Sequence, residues 1–388
     1  YVEVFGVNYK NTALIQHLTS LVFLCLAFMI PILSGIADYL KNKVSFLKFF
    51  CYLGSVSCIG LYFFTIENIY LGLFFYFFAL FSFWASLVFY NSYLPEIAFP
   101  HQQDKASAQG FSYGYIGSVL LLLINLLMVL YPSTFGFHDT IEPMKISFVM
   151  VGLWWAGFSQ YTFYYLPKNQ IQLTNKNILK KSVLFGGFSE LNTVWKMIKK
   201  QKAIKKFLIA FFVFSCALQT IILIATYFGE QEIIWREGEK QIGLIISMLL
   251  IQLIAIIGAI LTAKFSEKFG NIQTLIFLNI FWFFLCVGGY FIKFSHEFYI
   301  IAALVGLVMG GIQALSRSTY SKLIPETKNT CSYFSFYQMC MIISISLGTF
   351  MSGIVDQFTG SLRNSIIVFA VIFIFGAILL KDIKMKKL

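Results

Sequence analysis

Acidic side chains are scarce in this chain: 17 Asp and Glu occur among 388 residues, and all charged residues together make up 12%. A soluble globular domain carries about twice that charged share. With 59% hydrophobic residues and a mean hydropathy of +0.78, the chain cannot assemble a solvated surface, so the water-soluble classes are excluded. The 17 acids all fall in loops or at the ends of apolar stretches. No carboxylate therefore stands deep in an apolar run, where a proton relay would need one. The four histidines, His17, His101, His138 and His296, lie in separate segments without ligand spacing, and the seven cysteines form no Cys-x-x-Cys. Neither metal nor cofactor is expected, and the cysteines serve as small packing residues. A membrane enzyme would cluster Asp, Glu or His at one interface for acid–base or metal work. The only acidic group of that size, Glu230, Glu232, Glu237 and Glu239, lacks ligand spacing, so no catalytic residue is expected. The first apolar run has neither a basic leader nor a small-residue cleavage site, and so is not a signal peptide.

What the chain has in abundance is long apolar runs. Spans are predicted at 13–34, 46–64, 69–91, 109–131, 146–166, 207–228, 241–263, 271–293, 298–316, 331–354 and 364–380. Each is long enough for a ~30 Å hydrocarbon core, and only helix satisfies its own backbone over such a length in lipid. The fold class is therefore an all-α polytopic membrane protein with eleven visible spans. Of the 29 Lys and Arg, 23 fall on the side that holds the central loop. That side is cytoplasmic by the positive-inside rule, and the +12 net charge reports topology and anionic headgroups rather than nucleic-acid binding.

A repeat divides the chain. The turn at Asp38 has a counterpart at Glu267, 229 positions later, and Leu94-Pro95-Glu96 has one at Leu323-Ile324-Pro325-Glu326, with Glu96 and Glu326 separated by 230. Two pairs sharing one offset imply two parallel pseudo-repeated halves of six helices each, a construction used by secondary transporters. The halves are 1–166 and 207–388, joined by the basic linker 167–206. Within the linker Phe188, Leu191, Val194, Trp195 and Ile198 recur at helical spacing opposite Lys196, Lys199 and Lys200, which predicts an amphipathic helix on the inner leaflet. The second half has six spans and the first five. Shifting 207–228 back by 229 positions lands just before Tyr1, so a further apolar segment upstream is expected, giving twelve spans.

Two segments carry a family resemblance. Phe89-Tyr90-Asn91-Ser92-Tyr93-Leu94-Pro95-Glu96-Ile97-Ala98, continued at Ser107-Ala108-Gln109-Gly110-Phe111-Ser112-Tyr113-Gly114-Tyr115-Ile116-Gly117, and Gly310-Gly311-Ile312-Gln313-Ala314-Leu315-Ser316-Arg317-Ser318 are similar to one branch of the major facilitator superfamily. That branch includes the fungal vacuolar amino-acid effluxer of autophagy and many uncharacterised bacterial transporters. The Asp38 turn departs from the superfamily pattern, with Tyr39 where a basic residue is usual and Lys41 where glycine is usual. The resemblance implies the major facilitator fold and small-molecule transport, with amino acids as the expected substrate. A sugar or muropeptide carrier and a non-transporting scaffold are the alternatives. A monomer in a bacterial inner membrane is expected.

Candidate residues follow from the mechanism such a carrier needs. Polar contacts at cytoplasmic helix ends must form in one state and break in another, a role expected for the latch residues Asp38, Glu96, Glu267 and Glu326, with Arg317 as the base for Glu267. Small residues at every fourth position, Ala106, Gly110, Gly114 and Ser118 on one helix and Gly306, Gly310 and Ala314 on another, allow close backbone approach. Polar groups within spans are the candidate substrate contacts: Gln219, Gln252, Gln313, Gln338 and Ser344, with Trp84, Tyr113 and Tyr337 as aromatic walls. Gln219 and Gln313 rank first because the resemblance places their helices around a central cavity.

Overall fold

In the computed structural model the described residues are 2–385 except 5, 6, 10, 66, 140 and 168–180. A short antiparallel hairpin comes first, β1 (Val2–Val4) paired with β2 (Val7–Tyr9), Val2 facing Tyr9. Then follow α1 (Asn11–Leu40), α2 (Lys43–Gly60), α3 (Ile69–Asn91), α4 (Leu94–Ile97), α5 (Gln103–Leu130), α6 (Ile141–Tyr165) and α7 (Lys181–Lys200). The remainder is α8 (Lys202–Gln231), α9 (Lys240–Phe269), α10 (Asn271–Phe291), α11 (Ser295–Leu323), α12 (Thr330–Thr359) and α13 (Leu362–Lys381). Every expected span is a helix. Among the described residues ten helices are long and apolar enough to cross a membrane. The remaining expected span, α6, is a 25-residue helix diluted by Glu142, Lys145, Ser159, Gln160 and Thr162. The predicted linker helix is α7; Lys168, Lys176 and Lys180 of the same linker lie outside the described residues.

Local chemistry sets the helix ends that matter for the site. α1 closes on Lys41, whose φ of +51° lies in the left-handed region, with Lys41 N–H donating to Asp38 O at 3.1 Å and Asn42 N–H to Ala37 O at 3.1 Å. Glycine is favoured there because it has no Cβ to collide with its own carbonyl. At the repeat-equivalent end of α9 glycine is present: Gly270 has φ +83° and its N–H donates to Ser266 O at 2.8 Å. Asn42 then caps α2, accepting from Ser45 N–H at 3.3 Å.

Packing divides the chain into two compact units. One comprises 1–93, 120–195 and 328–336; the other comprises 94–119, 196–327 and 337–388. The sequence halves are a division by repeat and these units a division by packing. They differ chiefly at 94–119, which groups with most of the second half, and at 328–336, which groups with most of the first.

In the first unit α2 packs against α3 and α6, and α1 against α3. Stacked rings fill the α2–α3 seam: Phe46 and Phe50 lie 5.4 and 5.9 Å from Phe89. In the second unit α9 lies along α11, and α13 packs on α8 and α10. The α9–α11 seam is backbone-close. A Cβ on Gly306 or Gly310 would run into the carbonyl of Ile251 or Ala255, so the small-residue repeat expected on α11 is a contact surface. On α5, by contrast, a Cβ at Gly114 would meet open space. At the C-terminal end of α8, Glu232 accepts from Leu362 N–H at 2.9 Å and Ser361 Oγ at 2.8 Å, capping α13. Arg363 donates to Glu232 and to the carbonyls of Tyr290 and Ile292, tying the ends of α8 and α10 to the start of α13. A cavity of about 390 Å³ beside this clamp is lined by Lys293 and Arg363 among others.

Candidate functional site

Asp38 stands in the last turn of α1 and is 8% exposed. Its carboxylate accepts from the backbone N–H of Cys331 at 3.2 Å and of Ser332 at 2.7 Å, the first turn of α12. Those amides have no partner within their own helix, and the positive end of the α12 dipole favours an anion there, so Asp38 caps a helix nearly 300 residues away in sequence. Lys43, 6% exposed, reaches the same place: Nζ donates to Thr330 Oγ1 at 3.2 Å and to Ser92 O at 3.3 Å, and sits 4.1 Å over the Tyr93 ring. Ser92 and Tyr93 of the first family-like segment thus both engage a lysine.

The second cluster belongs to the other unit and is built from Asp104, in the first turn of α5 and 5% exposed. It accepts from Lys322 Nζ at 2.6 Å, Asn271 Nδ2 at 2.8 Å and Ser266 Oγ at 3.2 Å. Asn271 donates also to Thr319 Oγ1 at 3.1 Å and accepts from Lys322 at 3.2 Å. One turn along α5, Ser107 Oγ donates to Ala314 O at 2.6 Å, while Arg317 donates to Ser107 Oγ at 2.9 Å and Ser107 O at 3.0 Å. The Arg317 guanidinium lies 4.8 Å above the Phe111 ring. Further along, Tyr115 Oη donates to Gln313 Oε1 at 2.9 Å. The two family-like segments therefore form one ladder of polar contacts between α5 and α11.

The sequence-predicted latch is partly rearranged. Glu267 is exposed and its carboxylate makes no hydrogen bond or ion pair among the described residues, so the expected Glu267–Arg317 pair does not form. The physical reason is competition: Arg317 is 6% exposed and turned into the α5–α11 seam, whereas Glu267 keeps its water. Glu96 and Glu326 are likewise exposed. Asp104, Lys322, Asn271 and Lys43 are not among the residues expected from the sequence. The available signal was the Gln103-Asp104-Lys105 run opening an apolar stretch, and Lys322 and Lys43 just beyond two others.

Comparison with known proteins settles the family. The family model described as "Vacuole effluxer Atg22 like" matches residues 1–387. The chain belongs to this family. An uncharacterised major-facilitator-type transporter, YxiO of Bacillus subtilis, is 28% identical over 96% of this chain and 84% of its own length. Autophagy-related protein 22 of Kluyveromyces lactis is 26% identical over 69% of this chain and 55% of its own length; the chain thus spans about half of the fungal relatives it matches. Among solved structures the E. coli fucose:proton symporter superposes with a TM-score of 0.70 at 16% identity, covering 95% of this chain and 91% of that one. A proton:xylose symporter gives 0.71 at 12% identity, covering 98% and 89%. At such identities these two establish the fold, which is the major facilitator fold. The chain is a multi-pass integral membrane protein and a transporter of that type.

Within this Atg22-like protein the candidate substrate contacts separate by their partners. Gln313 is engaged by Tyr115, and Gln219 Nε2 donates to Met341 Sδ at 3.6 Å. Ser344 Oγ donates to Met341 O at 2.8 Å, back into its own helix. Tyr337 is buried in a stack with Phe211 at 4.1 Å and Tyr320 at 5.1 Å, Trp84 meets Phe23 edge-on at 5.6 Å, and Tyr113 is 71% exposed. Gln338 differs from all of these. It is 0% exposed, and neither Oε1 nor Nε2 has a hydrogen-bond partner among the described residues; Gln252 Oε1 is in the same condition.

Proposed function

We propose that this Atg22-like transporter moves a small polar solute across the membrane by alternating access, amino acids first, with Gln338 as a recognition residue and Gln252 as its second. The observation that carries the site is the fully buried, doubly unsatisfied amide of Gln338. A buried polar group without a partner costs about 1–3 kcal/mol, so it persists where something else satisfies it. A side-chain amide offers one acceptor and two donors, matching the ammonium and carboxylate of an amino acid or the hydroxyls of a sugar. The resemblance read from the sequence implies the amino acid; a sugar or muropeptide is the alternative. Gln219, Gln313, Trp84, Tyr113, Tyr337 and Ser344 take supporting places.

In the same proposal Asp38 is the conformational latch and the Asp104–Lys322 pair the contact that stays closed, with Arg317 fastening the α5–α11 seam and Glu96, Glu267 and Glu326 as outlying charges. The protein acts as a monomer in a bacterial inner membrane, with the basic side inward against anionic headgroups.

The test is a thermal-shift panel of amino acids, sugars and muropeptides on purified protein, followed by flux of the hit into proteoliposomes. An amino acid that shifts the wild type and is transported, with affinity weakened roughly fivefold or more in Gln338→Ala, is the expected result. Flux of no solute would leave the scaffold reading, and unchanged affinity in both Gln338→Ala and Gln252→Ala would remove these residues from the site.

A further inference from the structure

The contacts of α7 give it a task that an inner-leaflet helix alone does not have. It lies on α1 at backbone distance. A Cβ at Gly187 would come within 2.8 Å of the Ile36 amide nitrogen, one at Gly35 would run into the Gly187 carbonyl, and one at Gly186 would meet the Tyr39 ring at 2.6 Å. Gly35 is three residues before Asp38, so α7 rests on the turn of α1 that presents the cap. α7 also holds the other side of that cap. Glu190 Oε2 accepts from Asn329 Nδ2 at 2.7 Å, and Trp195 stacks on Phe336 at 5.4 Å and 22°. Asn329 immediately precedes α12, whose next amides, Cys331 and Ser332, are the ones Asp38 accepts from.

The outer faces of α7 have a different chemistry. Val183, Gly187, Val194 and Ile198 are buried, while Phe188 and Trp195, two turns apart on one flank, are 57% and 44% exposed. Lys196, Lys199 and Lys200 are exposed on the side away from the buried stripe. An exposed aromatic flank beside a lysine row fits the boundary between acyl chains and anionic headgroups.

We propose that α7 is a membrane-surface strap: anionic phospholipid of the inner leaflet binds its lysine face and aromatic flank, presses it onto Gly35 and Ile36, and through Glu190 and Trp195 holds the first turn of α12 against Asp38. The occupant is the anionic bilayer surface, chosen on charge complementarity and on the exposed rings beside it. The inference extends the latch role proposed for Asp38 but needs no knowledge of the substrate.

The experiment is amide hydrogen exchange of the segment 329–336 in the full chain, reconstituted in nanodiscs of phosphatidylcholine alone or with phosphatidylglycerol. Anionic lipid is expected to slow exchange at Cys331 and Ser332 on the order of tenfold. The triple variant K196Q/K199Q/K200Q should lose most of that slowing while keeping its helical circular dichroism. Gly187→Leu, which cannot seat on Ile36, should exchange fast in both lipids; the lysine variant decides the matter if this one misfolds. Equal exchange in the two nanodiscs, or lipid-dependent slowing that survives in the lysine variant, overturns the strap. Slowing produced by inorganic phosphate over phosphatidylcholine discs overturns the bilayer surface as its partner. A failure of transport in the flux assay leaves this measurement untouched, so the two readings fail separately.

Discussion

The Asp38 and Asp104 clusters both bury a carboxylate beside helix ends, and they stabilise it by different means. Asp38 leaves the end of α1 and spends its oxygens on backbone amides at the start of another helix. Its charge is met by a helix dipole and by the nearby Lys43 ammonium, which also donates to Thr330 and Ser92. Asp104 opens its own helix and meets a formal cation, Lys322 at 2.6 Å, inside a net of Asn271, Ser266 and Thr319. When its partner helix moves away the dipole-capped acid loses two amide hydrogen bonds and Lys43 its bond to Thr330, while Lys43, on α2, stays beside Asp38. The ion-paired one strands a buried lysine, which costs more. A repeat can therefore keep two equivalent turns while giving them contacts of unequal strength. The weaker contact is the better candidate for a latch that opens in each cycle, and the stronger for a hinge that stays closed.

That contrast is open to attack in order of expected effect. Asp104→Ala should destabilise the protein most, by about 3–5 kcal/mol, because Lys322 is left buried without its counter-charge. Chemical unfolding in detergent measures it, and the double variant D104A/K322A should lie closer to wild type than either single change. Asp38→Ala should cost about 1–2 kcal/mol, with Asp38→Asn restoring only part of it, since the single amide oxygen accepts from one of the two N–H groups and its NH2 faces the other. In flux assays Asp38→Ala should slow transport while leaving substrate affinity within a few-fold; loss of binding with the fold intact would break the latch reading. Lys41→Gly should stabilise by ~1 kcal/mol, relieving a side chain held at φ +51° where the equivalent turn has Gly270. Glu267→Ala should change neither unfolding nor flux measurably, because its charge lies in water. A clear loss at Glu267 would restore the symmetric latch and erase the difference between the two clusters.

Apolar run length and the charged turns between runs are local properties, and for that reason they were legible without a structure. The sequence by itself determined the membrane class, every span from α1 to α13, the amphipathic α7 and the two-fold repeat that marks the Asp38 and Glu267 turns, because a helix in lipid satisfies its backbone alone. It marked the odd residue at Lys41 but not that Lys41 would take the left-handed turn all the same. Only the tertiary structure decided which polar groups share a cluster. Asp104 and Lys322 are 218 positions apart, and Asp38 lies 293 from the Cys331 amide it caps. Spacing along a chain carries no signal for such pairs, since a buried charge selects whatever partner packing brings within about 3 Å. The same holds for the glutamines: alike in sequence, Gln313 is claimed by Tyr115 and Gln338 by no described protein group, and that difference exists only once the helices are packed.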